Sequence, residues 1–384
     1  MVDSIPPAGD LRGSGVVPGR GVRRLGRNRW ERRFDASLSG PPAVAGDWVL
    51  VGDDAGRLHA LDARDGDPRW TTTHDRVSSP PVVADDIVYI GIGNERLHSC
   101  DLATGAEQWT SEPLRAQSQY PSESAPTWPI VAGDLVICRT WDSLCALDRG
   151  SGALRWSTDG YTNGSVYPPT VVAGLVLDAT VVAGTDGSSA SVNAVNLADG
   201  RDAWQYGPDE ERDQRQVSPS RLAEHGGRLY TFEMSLTRPY GWLIELDPAT
   251  GLTQRTVPLP PGLVSYHPPA VVDGTVWFGS VTLGEYVDDP PMGAVLCRAD
   301  GDRVTVVAEL AGEPAGQPLV AGGVLYLATG SGVLHAFETA TGQQLWSFDT
   351  GRPADSFLGP FHAVGDGVVY AGVKNGVVAL AGDE

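Results

Sequence analysis

Residues 58–70 read Leu58-His59-Ala60-Leu61-Asp62-Ala63-Arg64-Asp65-Gly66-Asp67-Pro68-Arg69-Trp70: an apolar run, a turn, and a tryptophan four residues after a glycine. The phrase returns as Leu97–Asp101 with Gly105 and Trp109, Leu144–Asp148 with Gly152 and Trp156, and Val192–Asn196 with Gly200 and Trp204. Leu243–Asp247 leads to Gly251, and Val333–Glu338 leads to Gly342 and Trp346. Upstream of each copy a proline opens a Val-rich segment: Pro42, Pro81, Pro126, Pro169, Pro219, Pro269, Pro318 and Pro360, 39 to 50 residues apart. Self-similarity at that period predicts a repeat architecture. Each unit reads as four short strands separated by Asp/Asn/Gly turns, the pattern of a propeller blade.

The two ends complete one unit. The eighth stops after Val377–Leu380 with no Trp strand, and Gly26 followed by Trp30 supplies the missing piece at the same offset. The spacing therefore predicts an all-β, eight-bladed propeller of four-stranded antiparallel blades, closed by its N-terminal strand, which leaves no open sheet edge at the seam. Residues 25–384 form the single domain, and residues 1–24, rich in Pro, Gly and Arg, read as a flexible tail.

Composition narrows the function. With 48 Gly and 29 Pro in 384 residues, long helices have little room. A formal charge of −20 argues against nucleic acid as a partner. No apolar run has bilayer-spanning length, so no membrane is expected. Cys100, Cys138, Cys145 and Cys297 form no Cys-x-x-Cys and read as reduced thiols of a cytoplasmic protein.

The Ala-Leu-Asp-x-x-x-Gly-x-x-x-Trp phrase resembles the tryptophan-docking repeat of the PQQ-like quinoprotein alcohol dehydrogenases. Relatives without enzymatic activity include the propeller lipoprotein of outer-membrane protein assembly. The resemblance covers roughly residues 26–384 and implies the eight-bladed ring, while function has to be read from the site. It also implies a calcium-anchored quinone held beside adjacent cysteines and a stacking Trp. Here Cys138 and Cys145 are seven residues apart, so no cofactor and no metal are expected.

Departures from the repeat carry the functional reading. The docking position holds Arg255 in the fifth unit and Thr305 in the sixth. Long loops are expected at Val181–Ser189, Met234–Gly241 and Val281–Met292 on one face, and tight turns on the other. That face would carry Trp141, Tyr161, Tyr167, Arg238, Trp242, Tyr266 and Tyr286 as aromatic and polar ligand-binding groups. Two residues after each repeat proline, five units place Val; Trp128, Arg221 and His362 are the exceptions. A buried Arg or His there must be paired or face a wet cavity. His362 and His267 are the candidate proton donors or acceptors. Glu233 and Asp178, at the ends of second strands, are expected to pair with Arg221 or take a proton.

Two functions fit this pattern, and the first leads because the exceptions reach inward to strand positions. One is a small organic ligand, aromatic or polyketide-like, bound in the funnel, with acid–base cyclase, isomerase or lyase chemistry and no cofactor. The other is a non-catalytic scaffold holding a protein partner on the same face.

Overall fold

Prolines, Asp/Gly turns and β-branched runs divide the chain into strands of two to nine residues. The computed structural model describes residues 14–93, 95–114, 127–140, 143–158, 168–183, 188–207, 215–218, 221–235, 237–285, 291–351, 362–365, 367–373 and 375–382. Among them there is no helix, and hence none long and apolar enough to cross a membrane. The strands form eight antiparallel sheets. Blade 1 runs Ala43–Ala45, Trp48–Gly52, Arg57–Asp62 and Pro68–Thr73, and blades 2 to 7 repeat the order along the chain. Blade 8 is split: His362–Gly365, Val368–Val373 and Gly376–Gly382 are joined by Leu25–Arg33 from the other end of the chain. Trp30 pairs with Ala379 and Arg33 with Gly376 across that seam.

First strands contact first strands around most of the ring and so form the wall of the central channel. The core is a series of slabs between blades, with no single centre. Leu50, Leu58 and Ala60 of blade 1 pack on Val88, Ile90 and Cys100 of blade 2, for example.

The repeat residues lock these slabs together. In five of the six repeat tryptophans, the indole N–H donates to the carbonyl that follows the Asp or Asn of the next blade. Trp30 reaches Ala63 at 3.0 Å, Trp70 reaches Leu102 at 2.8 Å and Trp109 reaches Arg149 at 2.9 Å. Trp156 reaches Leu197 at 2.9 Å and Trp204 reaches Pro248 at 3.2 Å. The ring then lies on the glycine of that hairpin. A Cβ on Gly66, whose φ is +74°, would stand 2.6 Å from the Trp30 ring. Directly across the sheet from each indole is a small residue: Ala379, Ala60, Ser99, Ala146, Ala194 or Ala336. A large side chain on the third strand would occupy the space the indole needs.

The N-terminal segment departs from expectation. Residues 14–24 do not form a loose tail. Val17 and Val22 are buried, Val16 bridges Val320 in parallel, and Trp346 donates to the Val22 carbonyl at 2.8 Å. Val22 thus replaces the hairpin carbonyl that a continuous eighth blade would have offered. Main-chain hydrogen bonds carry the docking, so the Pro/Gly/Arg composition did not reveal it.

Candidate functional site

Blades 4 to 6 rise above their neighbours on the face where second strands turn into third strands. Leu175–Ala183 pairs with Ser188–Asn196 through Ala183 and Ser188, and Thr275–Thr282 pairs with Gly293–Asp300 through Thr282 and Gly293. At 181–189, which the sequence suggested as a loop, residues 181–183 and 188–189 are therefore strand, whereas at 281–292 only Val281 and Thr282 are. Two extra strands, Arg215–Val217 and Leu263–Val264, pair with the upper parts of Arg228–Ser235 and Thr275–Thr282. The result is a raised wall over one side of the ring.

Buried charges sit inside this wall. Glu233 is buried; it accepts from the Tyr206 hydroxyl and lies 3.6 Å from the Arg215 guanidinium. Arg215 in turn lies 3.8 Å over the ring of Trp242, the residue opposite Glu233 in the sheet. Burial, then the Glu233 charge, pushes the Tyr206 phenol well above its ordinary range. Asp178 of blade 4 is buried against Arg139 of blade 3 in an ion pair. Burial raises the Asp178 pKa and Arg139 opposes the rise. The sequence reading offered Arg221 as the partner of these two acids; it placed Arg215 only among the groups of the elaborated face, and it missed Tyr206 and Arg139. Arg139 lies 39 residues from Asp178 in an adjacent blade, and no local spacing links them.

Arg221 is buried at 2% exposure beside the first strand of blade 5. His267, half-buried, leads into the first strand of blade 6. Burial lowers its pKa to about 4, opposed by a hydrogen bond to the Pro314 carbonyl. His362 opens the first strand of blade 8, opposite Ala371; its side chain lies outside the described residues. Trp128, half-buried, stands on the first strand of blade 3. Trp141, Tyr161, Tyr167 and Tyr286 lie outside the described residues.

The outer part of the wall is exposed and bridges two blades. Arg238 lies 3.4 Å from Glu285. The Gly262 N–H donates to the Pro239 carbonyl, and the Leu283 N–H donates to Gly262. Around these contacts Tyr240, Tyr266 and Met292 stand exposed at 50%, 36% and 72%.

The donor set does not match a metal-anchored quinone. Among the described residues no three His, Cys, Asp or Glu side chains gather to hold a cation. Cys138 and Cys145 face each other across two strands and are not consecutive in the chain. No chemical step is derived through such a group.

Comparison with known proteins bears on the fold. The sequence profile of the outer membrane protein assembly factor BamB family matches residues 15–159, 93–287 and 286–384. BamB from Moraxella catarrhalis is 18% identical, with 92% of this chain and 98% of that one covered at a TM-score of 0.66. A quinohemoprotein alcohol dehydrogenase from Comamonas testosteroni is 16% identical, covering 100% and 81% at a TM-score of 0.72. The computationally designed Ika8 protein is 16% identical, covering 93% and 100% at 0.66. No curated protein matches the chain. At these identities the likeness to solved structures is one of fold.

Proposed function

Because this chain belongs to the family of the outer membrane protein assembly factor BamB, a PQQ-like repeat family, we propose that it is a non-catalytic scaffold that holds a protein partner on the raised wall of blades 4 to 6. The observation that carries this reading is the exposure of Arg238, Tyr240, Tyr266 and Met292 on this wall. Arg, Tyr and Met are the side chains enriched where protein interfaces form, and a few such anchors supply most of the binding energy. The acids nominated for proton transfer, Glu233 and Asp178, are engaged by Arg215, Tyr206 and Arg139. That pairing favours a rigid support over a general base. The reading includes a reducing compartment, supported by four buried thiols, two of them opposed across a sheet.

The test is site-specific photo-crosslinking in cells of origin. A crosslinker at Tyr240 should capture one protein that a crosslinker at Leu252, exposed on the other face, does not. Arg238→Ala with Met292→Asp should abolish that capture without lowering the melting temperature. Equal capture from both positions, or from neither, overturns the proposal.

A second reading, a small organic ligand in the funnel, is favoured by Arg221, buried where five other units carry Val. Arg221→Val separates the two. It should leave capture at Tyr240 intact under the scaffold reading and abolish binding of a screened aromatic compound under the ligand reading.

A further inference from the structure

We propose that the channel-facing edge of blades 6 and 7 is a binding site for an extended, uncharged peptide, and that residues 14–17 of this chain fill it. The proposal stands independently of the scaffold reading. Each first strand gives one edge to its second strand and turns the other toward the channel. On that free edge the Val271 N–H donates to the Ser14 carbonyl at 2.8 Å and the Val320 N–H donates to the Gly15 carbonyl at 2.8 Å. The Val320 carbonyl accepts from the Val17 N–H at 2.9 Å. This is strand addition, in which main-chain bonds hold the ligand and flanking pockets select its side chains.

The pockets are specific. Gly15 has a φ of +73°, and a Cβ there would fall 2.7 Å from the Pro318 carbonyl oxygen and 2.8 Å from the Ala270 Cβ. The site therefore takes glycine at this position. The next residue, Val16, packs on the slab of Ala270 and Val320, and Val17 packs with Leu319, Ala321 and Val324. Its ligand is an extended Gly-apolar-apolar peptide, running parallel to the first strand of blade 7 from the raised face toward the tight turns.

The occupant is separable from ring closure. Pro18, Gly19 and Arg20 are exposed, and beyond them Val22 and Leu25–Arg33 do the closing through Trp346 and Gly376–Gly382. A docked strand on an exposed linker is a local unit able to open without unfolding the ring.

The test uses the full chain carrying Gly15→Val and the capped synthetic peptide of residues 13–19, Gly-Ser-Gly-Val-Val-Pro-Gly. In the wild type, the amides of Val271 and Val320 should be protected from hydrogen exchange and the peptide should not bind. In the variant their protection should fall at least about tenfold, and millimolar peptide, matching the effective concentration of a tethered strand, should restore it. The same peptide with Val in place of its third residue should fail. Val17→Asp serves as the second full-chain variant if Gly15→Val does not fold. Unprotected amides in the wild type, unchanged protection in the folded variants, or no restoration by the peptide would each overturn the proposal.

Discussion

Arg255 lies directly across the sheet from Glu245, in the register where tryptophan faces a small residue in the regular blades. The exchange is complementary. Arg255 binds Glu245 and reaches Asp302 of blade 6 at 3.2 Å, spanning by charge the joint that an indole spans elsewhere. Blade 6 carries a third arrangement: Thr305 faces Arg298, and Val307 packs where an indole would meet Gly342.

Replacing Arg255 with Ala leaves the buried Glu245 with Arg228, 3.1 Å away, as its remaining ionic contact among those described. The expected cost is about 1–3 kcal/mol, read as a shift in urea midpoint at constant slope. The double change Glu245→Ala with Arg255→Trp should recover most of it, since it recreates the regular pair. A double variant weaker than the single would show that the blade 5 joint does not follow the repeat's packing.

Trp30→Ala removes a buried indole and its bond to Ala63 at the seam. A loss of about 3–5 kcal/mol is expected by thermal or chemical unfolding. Gly66→Ala, on the other side of the contact, combines a φ of +74° with a Cβ 2.6 Å from the same ring. It should cost at least about 1 kcal/mol. An unchanged melting temperature for either variant would refute docking at the seam.

Acid should loosen the joint between blades 1 and 2. Burial, then the neighbouring His74, lowers the His98 pKa from 6.5 to about 4, with Glu107 opposing. A histidine whose pKa falls on folding contributes fully above its unfolded value, and that contribution is lost as pH falls from 6.5 toward 4. The shift corresponds to about 3 kcal/mol. His98→Asn, the residue found at this position in blade 4, should flatten the pH dependence of the urea midpoint between pH 7 and 4.5. An equally steep dependence in the variant would assign the effect elsewhere.

The Arg139–Asp178 pair gives a contrast. Arg139→Met alone strands a buried carboxylate and should cost about 3–5 kcal/mol. Arg139→Met combined with Asp178→Leu should be close to neutral, because two desolvated charges leave together. If the double variant instead keeps its stability but loses crosslinking at Tyr240, the pair positions the wall above it.

The ring was legible because its determinants are local. Gly66, Trp70 and Asp62 sit within nine residues of one another, and each has a steric or hydrogen-bonding role visible in the spacing. Closure was legible too, because Gly26 and Trp30 repeat the offset. The site was less so. Asp178 and Arg139 meet across blades, and Glu233 finds Arg215 on an extra strand, Arg215–Val217, that breaks the period, and Tyr206 on the fourth strand of blade 4. Strand extension at Val181–Ala183 was hidden because its register with Ser188–Ala190 depends on pairing, with no apolar alternation to mark it. The docking of residues 14–17 rests on backbone hydrogen bonds and on Gly15, Val16 and Val17, a short stretch outside the repeat that no period marks.

The split of blade 8 has a consequence for biosynthesis. Leu25–Arg33 leaves the ribosome well before its pairing partner, Gly376–Gly382. At roughly 5–20 residues per second the strand waits on the order of 20–70 s as an unpaired edge. Its sequence suits the wait: Arg27, Arg29, Arg32 and Arg33 place four like charges in nine residues. Such charges discourage edge-to-edge association of nascent chains. A ring that can be sealed only once this distant partner has been made thus carries its own protection against premature pairing in the strand that seals it.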